Sequence, residues 1–413
     1  MTGVPQARQY AFHKGKLFLK EDDAVLMARP WPSPGAWIRL GDHAGWKSFV
    51  PRHPLIVPVR RTAPRRTPEP QLAFDLDDER RRSQNEKKQI ALSRFRVRFP
   101  KPVARALEPF RRLQWQLMLG CARSDHFLQL LQSNPVLTYL WIRQQPSHSL
   151  SRRLFESAAL TPQRDLLEQL GLPSSKSSLK VLRKVYVPAL GWEMAESLLT
   201  VLRDADLLAR VRHVERLGTG VAAIAARPEL LTCCTPKLIT EIAASKDELY
   251  AAPTAGRLEN HLEMCRTLDE FQPAPFRNRD HLHANHRNLM ERYQHHLQRT
   301  RSRATTGSRF PLPPVPGTQT IQPLQSEQEL IAEGREQDNC VATYARRVRA
   351  GTHYIYRVTW PQRCTLSIVK SGNDQWVRRE LEISGNRPAS PQSRQAVDSW
   401  LHRHHRLLRS SSL

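Results

Sequence analysis

The spacing of apolar residues changes character several times along the chain. Between Tyr10 and Leu19 apolar and polar residues alternate on either side of Lys14-Gly15-Lys16, which predicts a hairpin. Trp31, Trp37 and Trp46 follow among Pro and Gly, so residues 1–50 read as a small β-rich unit. Its tryptophans serve as a core or as an aromatic stacking face; in so short a unit the core role is the simpler one. From about 100 to 250 the period is helical. Leu128, Leu131, Leu137 and Leu140 flank Asn134-Pro135, and Leu166, Leu167 and Leu170 stop at Gly171-Leu172-Pro173. Leu179, Leu182 and Val185 follow Ser174-Ser175-Lys176 and close at Pro188, and Met194, Leu198, Leu199 and Leu202 continue the pattern. Asn134-Pro135-Val136-Leu137 and Arg227-Pro228-Glu229-Leu230 are loosely alike, but no strict repeat emerges, so the array is irregular.

Residues 256–300 predict two amphipathic helices, one striped by Leu258, Leu262, Cys265 and Leu268, the other by Leu282, Leu289, Tyr293 and Leu297. Phe310-Pro311-Leu312-Pro313-Pro314-Val315-Pro316 then reads as a Pro-rich joint over 308–323. Beyond it, Ser326 and Glu329 form a capping box for a helix from 327 to about Gly334. Asn339 caps a second helix that begins at Cys340 and ends at Gly351. Strands are predicted over Tyr354–Thr359, Cys364–Val369 and Gln375–Ile383, and a last helix over Ser393–Leu408. The order ααβββα implies an antiparallel sheet covered by helices. The fold class is α+β: a β-rich start (1–50), a basic linker (51–99), a helical domain (100–307), the Pro-rich joint (308–323) and a C-terminal domain (324–413).

Composition narrows the function classes. Lys and Arg number 64 against 39 Asp and Glu, a formal charge of +25 in 413 residues, with a mean hydropathy of −0.56 and a pI of about 10.6. No apolar run approaches the roughly 18 residues of a membrane span, and no signal peptide opens the chain. Six cysteines without regular spacing do not form a secreted disulfide framework. A cytoplasmic protein with no membrane partner is expected.

Charge is clustered. Between Arg52 and Arg112 there are 17 Lys or Arg and 7 Asp or Glu. Arg60, Arg61, Arg65, Arg66, Arg80, Arg81, Arg82, Lys87, Lys88, Arg94, Arg96 and Arg98 are the candidate phosphate contacts, many of them among Pro58, Pro64, Pro68 and Pro70. A proline-broken basic arm neutralises phosphates and releases counterions, so DNA or RNA is the expected partner. A solvated linker is the plain alternative, and Asp75, Asp77, Asp78 and Glu79 interrupt the run. The helical region is open to a protein partner.

Elsewhere the chemistry is sparse. His281, His283, His286, His295 and His296 lack a nearby Cys to close a metal site, so no metal or cofactor is expected. Cys340 in the first turn of a helix stands where the macrodipole favours a thiolate. Glu333, Asn339, Tyr344 and Asn386 are the candidates to share a cleft with it. The packing alternative has Gly334 make the turn, Asn339 cap it and Cys340 bury as a small apolar group. Glu380 and Glu382 alternate onto one strand face, the usual arrangement of a solvated face.

The run Pro323-Leu324-x-Ser326-x2-Glu329-Leu330-x2-Glu333-Gly334-x4-Asn339-Cys340-Val341-x2-Tyr344 resembles the PcfJ-like protein family. Gly351-x3-Ile355-Tyr356, Thr365-Leu366-Ser367-Ile368, Gly385-Asn386 and Trp400-Leu401 extend the resemblance, as does Leu170-Gly171-x2-Ser174-x-Lys176 upstream. The position before the cysteine, often His in that family, is Asn339 here, which argues against a His–Cys pair. The resemblance implies mobile-element biology and supplies no reaction. The leading expectation is an accessory protein of a conjugative plasmid or integrative element, acting as a basic nucleic-acid-binding or adaptor protein without catalysis. The alternatives are a cysteine-dependent enzyme using Cys340 and a helical protein-interaction scaffold.

Overall fold

The computed structural model describes residues 9–21, 24–41, 44–51, 76–146, 150–244, 248–270, 274–301, 309–370 and 375–410. The fold is α+β, with an antiparallel sheet near each end and helices between. It divides into two compact units, Met1–Gly191 with Leu202–Leu208, and Trp192–Val201 with Ala209–Leu413.

In the first unit the strands β1 (Gln9–His13), β2 (Lys16–Glu21), β3 (Ala24–Arg29), β4 (Gly35–Leu40) and β5 (Lys47–Ser48) form an antiparallel meander. The predicted hairpin is present: Lys14 and Gly15 both have positive φ (45° and 75°), the two-residue turn that matches strand twist. Residues 51–99, read as a linker, differ over Leu76–Arg96, which is a helix. The prolines all precede it, and none occurs between 71 and 99 to interrupt it. Ala91, Leu92 and Phe95 make its buried seam, and the helix packs on β1 and β2. Lys88 and Arg98 cover the rings of Tyr10 and Phe12 at 5.2 and 5.9 Å. The helical array follows as predicted, with Ser124, Asn134, Ser151 and Ser175 each accepting a hydrogen bond from a first-turn amide.

The second unit holds a sheet of β6 (Ile321–Pro323), β7 (His353–Val358), β8 (Cys364–Lys370), β9 (Trp376–Ile383) and β10 (Arg387–Pro388), in the spatial order β10-β9-β8-β7-β6. One face is apolar. Tyr356, Val358, Cys364, Leu366, Ile368 and Leu381 pack there against Val397, Trp400 and Leu401 of the Pro391–Ser410 helix. The Pro-rich stretch, read as a joint, is a strap on this face. Val315 is fully buried in that core, Tyr356 donates its hydroxyl to the Val315 carbonyl at 2.8 Å, and Trp400 donates to the Pro316 carbonyl at 3.2 Å. The helices Glu248–Thr267 and Arg279–Arg301, read with the helical array, lie in this unit too. Their Met264, Leu289, Met290 and Tyr293 share a core with Ile331, Cys340 and Ala342.

Candidate functional site

The opposite sheet face is polar, and strand register explains why. Thr365 pairs with Glu382 and Ser367 with Glu380, so four polar side chains alternate onto one side of β8 and β9. Alternation alone predicts a solvated face for such carboxylates. Instead they are covered: Asn260 from the Glu248–Thr267 helix and the turn around Cys340 line the same cleft. A small, partly open cleft of about 30 Å³ lies among Asn260, Asn339, Cys340, Val341, Tyr344, Thr365, Ser367, Glu380, Glu382 and Asn386.

Glu333 organises one wall. It stands in the Glu327–Glu336 helix, capped as predicted by Ser326, and its carboxylate is fully buried. Arg363 donates to it through both terminal nitrogens at 2.8 and 2.7 Å, Arg357 at 2.9 Å and Thr365 at 2.8 Å. Burial works to raise its pKa, but the hydrogen bonds from Arg363, Thr365 and Arg357 prevail and hold it below the ordinary carboxylate value. Asn339 links this network to the turn. Its amide donates to the Thr365 hydroxyl at 3.1 Å, while its oxygen accepts from the Val341 N–H at 3.1 Å. Gly334 lets the turn close: a Cβ there would stand 3.1 Å from the Asn339 carbonyl oxygen.

The second helix differs from its prediction. Val341–Tyr344 is a 3-10 turn and Ala345–Arg349 a five-residue helix, ended by Gly351 in the left-handed region. Asn339 accepts from an amide only two residues on, which tightens the chain into a turn rather than starting an α-helix. Cys340 therefore meets no long macrodipole. Its thiol is buried, accepts a hydrogen bond from the Asn260 amide at 3.3 Å and is pushed up to about 12 by burial, with Glu382 and Glu380 adding to the effect. It stays protonated, contrary to the nucleophile reading, and packs as a small apolar group.

Tyr344 donates its hydroxyl to Glu380, Arg347 lies 4.3 Å over its ring, and Arg347 also donates to Asn260 at 2.8 Å. Gly256 accommodates this arrangement, because a Cβ there would fall 2.3 Å from Glu380 Oε1. Glu382 is raised to about 8 by burial first and then by Glu380 beside it, with Arg257 opposing. Of the predicted residues, Asn339, Cys340, Tyr344 and Asn386 share the cleft, and Glu333 stands one hydrogen bond behind it through Thr365. Sequence reasoning missed Asn260 and Ser367. The alternation of Thr365 and Ser367 along β8 was the available signal for the latter; nothing local marks Asn260.

The histidines form no metal cluster among the described residues. His286 and His261 are buried neighbours with ring centroids 5.9 Å apart. Desolvation lowers them to about 3 and about 4 respectively, so both rings are neutral.

The basic segment is divided. Arg60, Arg61, Arg65 and Arg66 lie outside the described residues, and Arg80, Arg81 and Arg82 lie on the Leu76–Arg96 helix. Lys87, Arg94 and Arg98 are exposed, whereas Arg96 and Lys88 are half-buried. Lys101, Arg105, Arg111 and Arg112 extend the exposed set. None of these exposed residues pairs with a carboxylate among the described residues. Among the described residues, no helix is long and apolar enough to cross a membrane.

A family model described as PcfJ-like protein matches residues 258–375, in agreement with the resemblance drawn from the sequence. The match takes in Asn260, Glu333, the Cys340 turn and β8, and stops before Glu380, Glu382 and Asn386. No curated protein and no solved structure matches the chain.

Proposed function

We propose that this chain is an accessory protein of a mobile genetic element that holds DNA or RNA through the basic segment between Arg52 and Arg112. One observation supports this most directly. Lys87, Arg94, Lys101, Arg105, Arg111 and Arg112 are exposed on or beside the two helices Leu76–Arg96 and Lys101–Leu107, and no described carboxylate neutralises them. Cations that serve stability are usually paired or buried along their stems; a run left to solvent suits phosphate contact. Helical presentation also favours a duplex or folded RNA, since it sets the charges at defined spacings. The PcfJ-like match supports the mobile-element setting.

The test is fluorescence anisotropy of the full chain with labelled duplex DNA, single-stranded DNA and RNA over a salt series. Log K should fall linearly with log salt, by about 0.9 per duplex phosphate neutralised. Absent or salt-independent binding overturns the reading.

A further inference from the structure

We propose that the cleft between β8, β9 and the Cys340 turn binds one oxygen-preferring divalent cation of the Mg2+ or Mn2+ class, held by Glu380, Glu382, Ser367 and Asn386. The two carboxylates stand on the same face of β9, two residues apart, beneath a helix and a turn. No Lys or Arg makes an ion pair with either one among the described residues, and Arg257, the cation near enough to act on Glu382, is hydrogen-bonded to His283 at 2.5 Å. That omission matters in this protein. Glu333, the fully buried carboxylate on the neighbouring helix, is saturated by two arginines and a threonine, whereas Glu380 and Glu382 are half-buried. In a chain with 64 basic residues, a carboxylate pair with no ion-paired Lys or Arg among the described residues marks a place where further positive charge comes from elsewhere.

The second observation is independent of the acids. Ser367 is 4 % exposed and lines the cleft on the strand face that it shares with Glu380, and its buried hydroxyl has no hydrogen-bond partner. Buried hydroxyls are nearly always satisfied, so an unsatisfied one facing two carboxylates points to a missing ligand. The donors still available are all oxygens. Among the described residues, Glu382 and Asn386 have no hydrogen-bond partner to their side chains, and Glu380 uses Oε2 on Tyr344 while its Oε1, beside Gly256, accepts no hydrogen bond. The only sulfur, Cys340, is protonated and engaged by Asn260, which disfavours a thiophilic metal. Two carboxylates and two neutral oxygens, with water completing the shell, suit Mg2+ or Mn2+, which keep several waters and need few protein ligands. Two negative charges would be matched by one divalent ion. Asn260 and Tyr344 would act as positioning groups, since each touches a cleft residue rather than the free oxygens.

The test is titration of the chelator-treated full chain with Mn2+ alone, followed by calorimetry and by the paramagnetic resonance of free Mn2+. One ion per chain is expected. Glu382→Gln should weaken it at least about tenfold, and Ser367→Ala should weaken it measurably, while Glu156→Gln on the first unit's surface leaves it unchanged. Mn2+ should also raise the melting temperature of the parent and not of Glu382→Gln. Ser367→Ala, a small change, provides the answer if Glu382→Gln does not fold. No Mn2+ binding, or binding that both cleft variants leave intact, overturns the proposal. Because no nucleic acid is present, the result is independent of the binding proposed for the basic segment.

Discussion

Glu333 and Arg363 form a two-pronged ion pair in which the carboxylate is fully buried and the guanidinium is 25 % exposed. It joins the Glu327–Glu336 helix to the start of β8 and, through Thr365 and Asn339, fixes the Cys340 turn over the sheet. Glu333→Ala leaves Arg363 and Arg357 partly hydrated and still beside Glu336, so the cost should fall near the lower end for a broken buried pair, about 3 kcal/mol. Urea unfolding measures it. A loss below about 1 kcal/mol would mean that the network adds little to stability.

Acid should weaken the fold through the buried histidines. His261 and His286 are neutral in the native state, with values of about 4 and about 3, whereas the unfolded chain protonates them near pH 6.5. The unfolded state therefore binds more protons below about pH 6.5, and stability falls with pH by up to about 1.4 kcal/mol per unit for each ring. Neither ring nitrogen of His286 has a hydrogen-bond partner, so His286→Leu leaves no described group orphaned. That variant should lose about one proton's worth of the slope in urea midpoints collected between about pH 6.5 and 4. An unchanged slope contradicts the neutral pair.

Gly256 and Tyr344 should be coupled through Glu380. Gly256→Ala improves helix propensity by about 0.5–1 kcal/mol but pushes Glu380 off its hydrogen bond with Tyr344, worth about 1.5–3 kcal/mol. The net result should be a loss of about 1 kcal/mol in the parent. In the Tyr344→Phe background the same substitution should be neutral or stabilising. A double-mutant cycle reads the difference, and additivity would show that the clash is absorbed elsewhere.

The strap makes a separate prediction. Tyr356→Phe leaves the buried Val315 carbonyl without the Tyr356 hydroxyl, and should cost about 1–3 kcal/mol. Thermal unfolding of the full chain measures it. A value near zero would show that the Pro-rich stretch is held by apolar packing alone.

Surface arginines should behave in the opposite way. Replacing Arg94, Arg105, Arg111 and Arg112 with Gln should leave stability within about 0.5 kcal/mol. The same change should shrink the salt slope of nucleic-acid binding by about 0.9 for each phosphate no longer neutralised. An unchanged slope would move the binding surface elsewhere.

Local chemistry in the chain was sufficient for much of the architecture. The Lys14-Gly15 hairpin, the Ser326 cap, the Gly351 stop and the three long strands of the C-terminal sheet lie where composition and period put them. Each depends on residues within a few positions of one another: a left-handed φ, a capping oxygen, an alternation of two. The helix from Leu76 was obscured by the prolines before it, and the strap by the habit of reading proline as a joint.

The sequence by itself determined the α+β order of elements, the concentration of positive charge between Arg52 and Arg112, and the alternation that puts Glu380 and Glu382 on one strand face. Only the tertiary structure decided what covers that face. Asn260 reaches Cys340 across 80 residues and Tyr344 reaches Glu380 across 36. Those pairings turn an expected solvated face into a partly covered cleft, and they decide between the two readings of Cys340 in favour of a protonated, packed thiol. Periodicity reports which way a side chain points, but desolvation depends on what another part of the chain places opposite it.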